Sequence, residues 1–509
     1  MISTTLDADG VLVARIDMPG RTMNVFSADL MDALDVLMDR VDREDAVRSV
    51  VVTSGKASFL VGADLAMVRG YTERAKTATH TQMFDLCGRL GRQFVRLEAC
   101  AKPWVAAVNG IALGGGLELA LACRERIVAD DPRIQLGTPE VRWGLLPGAG
   151  GTQRLPRMAG FEAGLGLLLT GRSITPGDAV RLGLFARAVP AARLVDEARV
   201  VARALHGKRL DMGSKYAQLP QTDVPPPSAV AANAIATRHG VGEETFRQYP
   251  AYGAIIDSVI EGARLPLAEA NAIEMKHFLR LMFNPVAGNM VRTLFLERLR
   301  AEHDLGAPAG SDIECIGVGP IGAPRLAWAD ALANVKLAQV ADASLPADTL
   351  ELIDRQGQRH RVALRVLDEA PSVATDGLPL AVLAPAGPYG RVLEIVDAEG
   401  ATAGMLAALA LRLRALPWHV QGPQSVMQQM RGQPLLSQAM IALACAVRPA
   451  AGDPAFLDVA ACLAGVSPAW TGGPLTWLWA ERGNLVPQFD AVTLQAWNKL
   501  EPQLRDAFA

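Results

Sequence analysis

The chain has 509 residues, half of them hydrophobic and a fifth charged, with a formal net charge of −3. This length exceeds what one hydrophobic core usually serves and predicts about three domains. The small net charge excludes a general electrostatic attraction to nucleic acid or to an anionic membrane. No uncharged apolar run reaches about 18 residues and no signal-like N-terminus is present, so we expect a cytoplasmic protein without a transmembrane segment. The six cysteines are scattered without a C-x-x-C pair, which favours reduced thiols and predicts no metal site.

The first 200 residues alternate between short β-branched runs and longer stretches with helical spacing. The runs predicted as buried strands are Val11–Ile16, Ser49–Thr53 and Trp104–Val108. The stretches predicted as helices are Leu30–Val41 and Met83–Leu97. Thr175 followed by Pro176 is typical of the first residues of a further helix. This alternation predicts an α/β layer domain.

Two glutamates in this region each lie in a glycine-rich frame. Glu118 follows three glycines and opens a run of helix formers, and Glu140 precedes the segment GAGG. Glycines at a helix N-terminus let a substrate approach free backbone amides and the positive end of the helix dipole. Each motif alone is typical of an ordinary packing turn or a solvated first-turn acid. Together they predict a pair of carboxyl groups that exchange protons with a substrate.

The stretch 104–157, with FLVGAD at residues 59–64, resembles the crotonase superfamily of enoyl-CoA hydratases and isomerases. Within that family the chain is most similar to the hydratase half of the multifunctional fatty-acid oxidation alpha subunits. The resemblance covers about residues 1–205 and implies a spiral of ββα turns. It also implies hydration of 2-enoyl-CoA thioesters, with the CoA ester as substrate and no further cofactor.

The resemblance assigns roles to individual residues of this first domain. It implies that Glu118 activates the water and that Glu140 protonates the α-carbon. It places an oxyanion hole, two backbone amides that stabilise a developing negative charge, at Ala63 and Gly115. The further residues that it implies for substrate binding are Gly62, Asp64, Gly114, Gly116, Pro147 and Gly148. Which glutamate carries the proton at rest stays open, because coupled carboxyl groups titrate as a pair.

A linker is predicted over residues 206–305. Leu219–Ser228 is proline-rich and should be extended. Tyr252–Glu302 has helical periodicity. In the alpha subunits that the chain resembles, helices at this place join the hydratase half to a dehydrogenase half.

Residues 306–400 resemble the Rossmann-like, NAD-binding start of 3-hydroxyacyl-CoA dehydrogenase, and residues 401–509 resemble its small helical C-terminal domain. The glycines with G-x-G-x-x-G spacing and the acid at the end of the next predicted strand are Gly317, Gly319, Gly322 and Asp342. These residues formally predict a dinucleotide site. However, the short segment before Ala381 argues against a complete NAD crevice.

The residues that would carry hydride chemistry are depleted. Where the dehydrogenase family has its base histidine and an asparagine, this chain has Ala381 and Ala384, while the histidine's expected partner survives as Glu394. An alanine cannot accept a hydroxyl proton. The resemblance therefore predicts a degenerate dehydrogenase module kept for architecture or assembly.

Besides a hydratase that has lost dehydrogenase activity, three other functions stay open. One is a Δ3-to-Δ2 enoyl-CoA isomerase, for which Glu140 alone would suffice. Another is a non-catalytic subunit that docks a thiolase, and the last is a still bifunctional hydratase and dehydrogenase. The resemblance further implies an acyl-CoA ligand and assembly with copies of itself or with a thiolase subunit.

Overall fold

A computed structural model describes residues 1–208, 228–305, 312–370, 378–387, 389–448 and 452–508. The chain forms two compact units, Met1–Gly288 and Asn289–Ala509. Within the described residues, no helix combines the length and apolar character needed to cross a membrane.

The first unit contains one large and one small sheet. Its strands are β1 (Ile2–Leu6), β2 (Val11–Ile16), β3 (Ser49–Ser54), β4 (Leu60–Val61), β5 (Trp104–Val108), β6 (Ala112–Leu113), β7 (Glu125–Ala129), β8 (Leu136–Gly137) and β9 (Arg187–Val189). The large sheet has the order β1-β2-β3-β5-β7-β9, and all neighbours are parallel except β1 and β2. The small sheet has the order β4-β6-β8 and is parallel throughout. Strands β3 and β5 are buried along their whole length, as expected for parallel strands covered on both faces.

Helices surround both sheets. They are α1 (Ala28–Arg43), α2 (Leu65–Ala75), α3 (His80–Cys87), α4 (Arg89–Ala99), α5 (Gly115–Ala122), α6 (Gly151–Ala159), α7 (Phe161–Thr170), α8 (Pro176–Arg181), α9 (Leu194–Ala204), α10 (Ala229–Arg238), α11 (Glu243–Gln248), α12 (Pro250–Gly262), α13 (Leu267–Met282) and α14 (Pro285–Val291), with 3-10 turns at Pro139–Trp143 and Ala191–Arg193. The predicted α/β architecture of this region is confirmed.

The predictions for single strands and for the helix cap are confirmed where the sequence pattern is uninterrupted. The three predicted strands coincide with β2, β3 and β5, and Thr175 caps α8 as expected. The single helix expected over Met83–Leu97 was wrong. It is two helices divided at Gly88, whose amide closes the last turn of α3 on the carbonyl of Phe84. An added Cβ there would lie 2.7 Å from that carbonyl oxygen, so the break needs glycine.

The structure divides the chain differently from the predicted linker at 206–305. Of the proline-rich stretch, residues 219–227 lie outside the described residues. The helical periodicity after residue 252 is real but is interrupted at Pro266 and Pro285, each of which directly precedes or begins a helix. Helices α10 to α13 belong to the first unit. The apolar faces of α10, α12 and α13 are buried there, as at Ile255 and Met275, so these three helices complete this core.

The second unit has its own sheet. Its strands are β10 (Ile313–Val318), β11 (Ala338–Ala341), β12 (Thr349–Asp354), β13 (Arg359–Val366), β14 (Leu380–Leu383), β15 (Val392–Val396) and β16 (Leu416–Val420). Its helices are α15 (Arg298–Asp304), α16 (Leu326–Ala333), α17 (Gly400–Arg412), α18 (Val426–Met430), α19 (Leu435–Ala446), α20 (Pro454–Leu463), α21 (Pro474–Leu485) and α22 (Ala491–Phe508), with 3-10 turns at Ala323–Arg325, Ala469–Thr471 and Val486–Gln488 and a π-helical turn at Arg292–Glu297.

This second sheet is mixed rather than uniformly parallel. The strand order is β11-β10-β12-β13-β14-β15-β16. Strands β10 and β11 are parallel and connected through α16, as the Rossmann-like expectation requires. In contrast, β12 is antiparallel to both β10 and β13, so a hairpin occupies the centre of the sheet. The sheet also extends to Val420, beyond the boundary predicted at residue 400, because β16 pairs with β15.

Gly116 provides a test of the packing in the first unit. An added Cβ would lie 2.0 Å from the carbonyl oxygen of Leu60 in β4, and backbone atoms cannot move away cheaply. We expect Gly116→Ala to lower the free energy of unfolding by about 1–3 kcal/mol. The matched control is Gly70→Ala on the exposed side of α2, where an added Cβ meets no atom within 4 Å, so the stability should be unchanged or slightly higher. Urea denaturation measures both, and equal midpoints for the two variants would contradict this packing.

Candidate functional site

The small sheet brings the predicted site residues together. Its three parallel strands end side by side, and each is followed by a residue assigned from the sequence. Ala63 follows β4, Gly115 follows β6 and begins α5, and Glu140 follows β8 in a 3-10 turn. The carboxyl ends of parallel strands meet at one edge, so Gly115 and Glu140, which lie 52 and 77 positions after Ala63, converge there without needing long side chains.

Two glycines turn the backbone at this edge. Gly62 and Gly114 adopt left-handed conformations with φ of 66° and 52°, which glycine reaches at little cost. The Gly62 amide donates to the carbonyl of Leu113 at 2.8 Å, which fixes the two turns against each other. In the part of the chain that the structure describes, no backbone carbonyl accepts from the amides of the next residues, Ala63 and Gly115. These two amides are therefore available to an anionic oxygen.

Glu118 lies in the first turn of α5 and is buried. Its Oε1 accepts hydrogen bonds from the amides of Ala149 at 2.8 Å and Gly151 at 2.7 Å. Burial raises the pKa of this carboxyl, while the two amides and the nearby Arg154 oppose the rise. The amide bonds favour the charged form of this carboxyl and so act against the effect of its burial.

Glu140 has a different environment. Its Oε2 is shielded from solvent and has no hydrogen-bond partner among the described residues. Desolvation, followed by the charge of Glu118, raises the pKa of Glu140 well above its usual range. An added Cβ at Gly114 would lie 2.4 Å from the Glu140 Oε1, so this carboxyl lies directly on the glycine turn. Burial and the neighbouring charge both raise the pKa of Glu140, and no amide hydrogen bond from the 149–151 loop opposes that rise as it does at Glu118.

The other residues predicted for substrate binding each lie in a different environment. Asp64 pairs with Arg21 at 2.5 Å. Gly148 lies under the ring of Phe278, with an added Cβ 3.1 Å from the ring. Pro147 packs against Gly151. Gly116 faces the Leu60 backbone, so packing with β4 accounts for the glycine there.

Sequence reasoning missed a third buried acid, Glu274 on α13. Its side chain is fully buried and accepts from the amides of Gly150 at 2.6 Å and Thr152 at 2.9 Å. Burial, followed by the charge of Glu118, raises its pKa to about 8. A signal was present in the sequence, because Glu274 occupies the helical register between Leu267 and Leu281, where an apolar residue is expected.

The glycines predicted for NAD do not form a suitable cradle. The amide of Gly322 donates to the carboxylate of Asp348 at 2.8 Å, and Arg325 pairs with both Asp348 and Glu369. A pyrophosphate at this turn would meet these carboxylates. An added Cβ at Gly319 would lie 2.5 Å from the carbonyl oxygen of Pro346, so packing of the chain on itself requires that glycine.

The remaining residues of the fingerprint are also engaged locally. Gly317 lies within β10 and packs against Glu351 and Leu345. Asp342 directly follows β11, as predicted, and accepts from the amide and hydroxyl of Ser344 at 2.9 and 2.6 Å. These hydrogen bonds lower the pKa of Asp342. The residues present do not fit NAD.

The residues at the positions of the dehydrogenase motif lie in or directly after strands of the second sheet. Ala381 is buried in β14, and Ala384 follows that strand. Glu394 in β15 accepts from the hydroxyl of Ser425 and from the amide of Val426 at 2.7 Å. Its carboxylate therefore caps helix α18, and its hydrogen-bond partners among the described residues include no imidazole.

Comparison with known proteins finds a family model that matches part of the first unit. Residues 8–221 match the family model described as Enoyl-CoA hydratase/isomerase. The fatty acid oxidation complex subunit alpha of Shewanella baltica is 36% identical over 307 residues, which are 60% of this chain and 42% of that protein. The subunit of the same name from Shewanella halifaxensis is 36% identical over 302 residues, or 59% of this chain and 41% of its own length. The chain thus spans less than half of the length of these relatives.

A solved structure of similar description also aligns. The crystal structure of a putative enoyl-CoA hydratase from Streptomyces avermitilis is 26% identical, covers 58% of this chain and 90% of its own, and has a TM-score of 0.41.

Proposed function

We propose that the first unit, whose residues 8–221 match the family model described as Enoyl-CoA hydratase/isomerase, adds water across the double bond of 2-enoyl-CoA thioesters. One observation carries the proposal. Two glutamates with unlike environments, Glu118 and Glu140, lie beside the free amides of Ala63 and Gly115. Fatty-acid oxidation is the metabolic setting that the relatives' names suggest.

The amides meet the electrostatic demand of the reaction. Attack of water on the β-carbon moves negative charge onto the thioester oxygen. Two N–H groups aimed at that oxygen stabilise the enolate-like transition state, and losing one such donor typically costs about 3 kcal/mol. Ala63 and Gly115 supply these donors from backbone already fixed by the turns at Gly62 and Gly114.

The two carboxyl groups divide the proton transfers. Glu118, held charged by two amides, takes a proton from the water. Glu140, whose pKa is raised by burial and by the Glu118 charge, delivers a proton to the α-carbon. Water and substrate thus meet a base and an acid of opposite protonation, which is the state that the reaction requires. No metal or redox cofactor takes part in this scheme.

Replacing either glutamate with glutamine should remove most of the hydration activity. For Glu118→Gln and Glu140→Gln we expect crotonyl-CoA hydration to fall by roughly 10²–10⁴-fold, the usual contribution of a positioned acid or base. The assay follows loss of the conjugated thioester absorbance. Glu162→Gln is the matched control because that side chain is exposed at the start of α7, and it should retain the wild-type rate.

Three results would contradict hydration as the function. Wild-type rates in both variants would exclude the two-glutamate mechanism. Fast conversion of a 3-enoyl-CoA with negligible hydration would instead indicate an isomerase. No turnover of any acyl-CoA together with co-purification of a thiolase would indicate a non-catalytic docking subunit.

We further propose that the second unit does not act as a dehydrogenase. The matching position for its base is Ala381, and Glu394 is committed to the α18 cap. The carboxylates of Asp348 and Glu369 surround the turn where a dinucleotide would bind. His360, the histidine nearest in the sequence, pairs with Thr402 at 2.8 Å.

We therefore expect the purified protein to form no NADH from 3-hydroxyacyl-CoA and to bind no NAD in calorimetric titration. Recording cofactor reduction and double-bond loss in one reaction separates the two activities. NADH formation at a rate comparable to hydration would contradict this proposal, as would tight NAD binding abolished by Gly319→Asp.

A further inference from the structure

The strongest feature outside the paired glutamates is the loop that enters α6. The amides of residues 149–152 have no partners within their own helix, since they precede or open its first turn. Two of them, from Ala149 and Gly151, donate to Glu118. Glu118 therefore depends on the position of this loop as much as on its own helix.

The alternate amides of the same loop belong to Glu274. Gly150 donates to its Oε1 at 2.6 Å, and Thr152 donates to its Oε2 at 2.9 Å. The hydroxyl of Thr152 also lies 2.5 Å from Oε2 and 2.8 Å from the hydroxyl of Ser258 on α12. Each carboxylate oxygen of this buried side chain thus has a donor from the loop.

The four bonds form one connected arrangement. Successive amides point alternately to a carboxylate on α5 and to one on α13, so the loop is held from two sides. Its carbonyl side is held as well, because Arg154 donates to the carbonyl of Ala149 at 2.9 Å and pairs with Glu98. If the side toward α13 were released, the two amides that hold Glu118 would lose their direction.

Resting on the proposed hydration, we propose that Glu274 is a positioning residue that aims the Ala149 and Gly151 amides at Glu118 and so fixes the base. It does not contact the reacting atoms in this role. A purely architectural residue would change the stability alone, whereas a positioning residue changes the chemical step.

Glu274 also influences the acid of the pair through its charge. The pKa of Glu140 is raised first by burial, then by Glu118, and further by Glu274. The pKa of Glu274 itself is about 8, so its charge is present in the basic range. Arg154 acts in the opposite direction on Glu118. Removing the Glu274 charge lowers the pKa of Glu140, and the acid then loses its proton at a lower pH.

The test compares Glu274→Gln with Glu269→Gln, an exposed glutamate on the same helix. We expect Glu274→Gln to lower kcat by about 10²-fold with little change in KM, because small misplacements of catalytic groups have effects of this size. The basic limb of its kcat profile should move to lower pH. The Glu269→Gln variant should match the wild type in both readouts.

A second variant and a second measurement cover failure of the first protein to fold. Thr152→Val removes one donor to Glu274 but keeps the carboxylate, and it should lower kcat severalfold without raising KM. Hydrogen exchange of residues 149–152, followed by mass spectrometry, should be faster in either variant and unchanged in Glu269→Gln. This exchange readout does not need turnover, so it tests the loop even if the wild type hydrates no enoyl-CoA and the proposed function fails.

Two outcomes would overturn the positioning role. One is a folded Glu274→Gln or Thr152→Val protein with kcat within about twofold of the wild type and an unmoved basic limb. The other is unchanged exchange of the loop in these variants. Loss of hydration in Glu118→Gln alongside either result would leave the proposed function standing and remove this inference alone.

Discussion

Burying three carboxyl groups in one small region is the physical constraint on which the first unit depends. A buried charge is expensive unless donors surround it. Glu118 and Glu274 meet this requirement with the amides of one helix entrance, residues 149–152. Glu140 has no such donors for its Oε2, and its pKa is raised well above its usual range. The amides of this loop lower the pKa values of Glu118 and Glu274 against the effect of burial, whereas Glu140 receives no hydrogen bond from the loop.

The small sheet supplies the geometry for this chemistry. Strands of two residues contribute little to stability, yet β4, β6 and β8 bring three distant segments to one edge. The glycine turns at Gly62 and Gly114 then leave the next amides free and admit the Glu140 carboxyl close to the backbone. The second unit uses similar elements for another purpose. There Glu394 and Asp458 are buried carboxylates that cap helices within their own unit.

The sequence predicted the features that depend on local pattern. Strands β2, β3 and β5 and the cap at Thr175 follow from short runs, and the positions of Glu118 and Glu140 follow from motifs of a known family. Glu274 could not be placed in this way, because it lies 124 residues from the Gly150 amide that it binds. No local sequence pattern indicates which hydrophobic core a helix joins when it follows a proline-rich stretch.

The second unit differs from its expectation for a related reason. The Rossmann-like prediction came from the glycine spacing, and β10, α16 and β11 do form the expected parallel unit. The residues after it form the antiparallel strands β12 and β13, which are joined by a turn at Gly357, whose φ is 79°. The alternation of apolar and polar residues in β12 and β13 is typical of a hairpin, which the glycine spacing upstream does not indicate.

The membership of α10 to α13 in the first unit has a practical consequence for anyone who wishes to express that unit alone. The family match ends at residue 221, which is a natural place to cut a gene. A fragment ending there would lack α12 and α13, and with them Ser258, Glu274 and Phe278. Ala63, Gly115, Glu118 and Glu140 would still be encoded, yet the residues of α12 and α13 that contact the 149–152 loop would be missing. The compact unit runs to Gly288, well past the last residue of the family match, so an expressed fragment should extend at least that far.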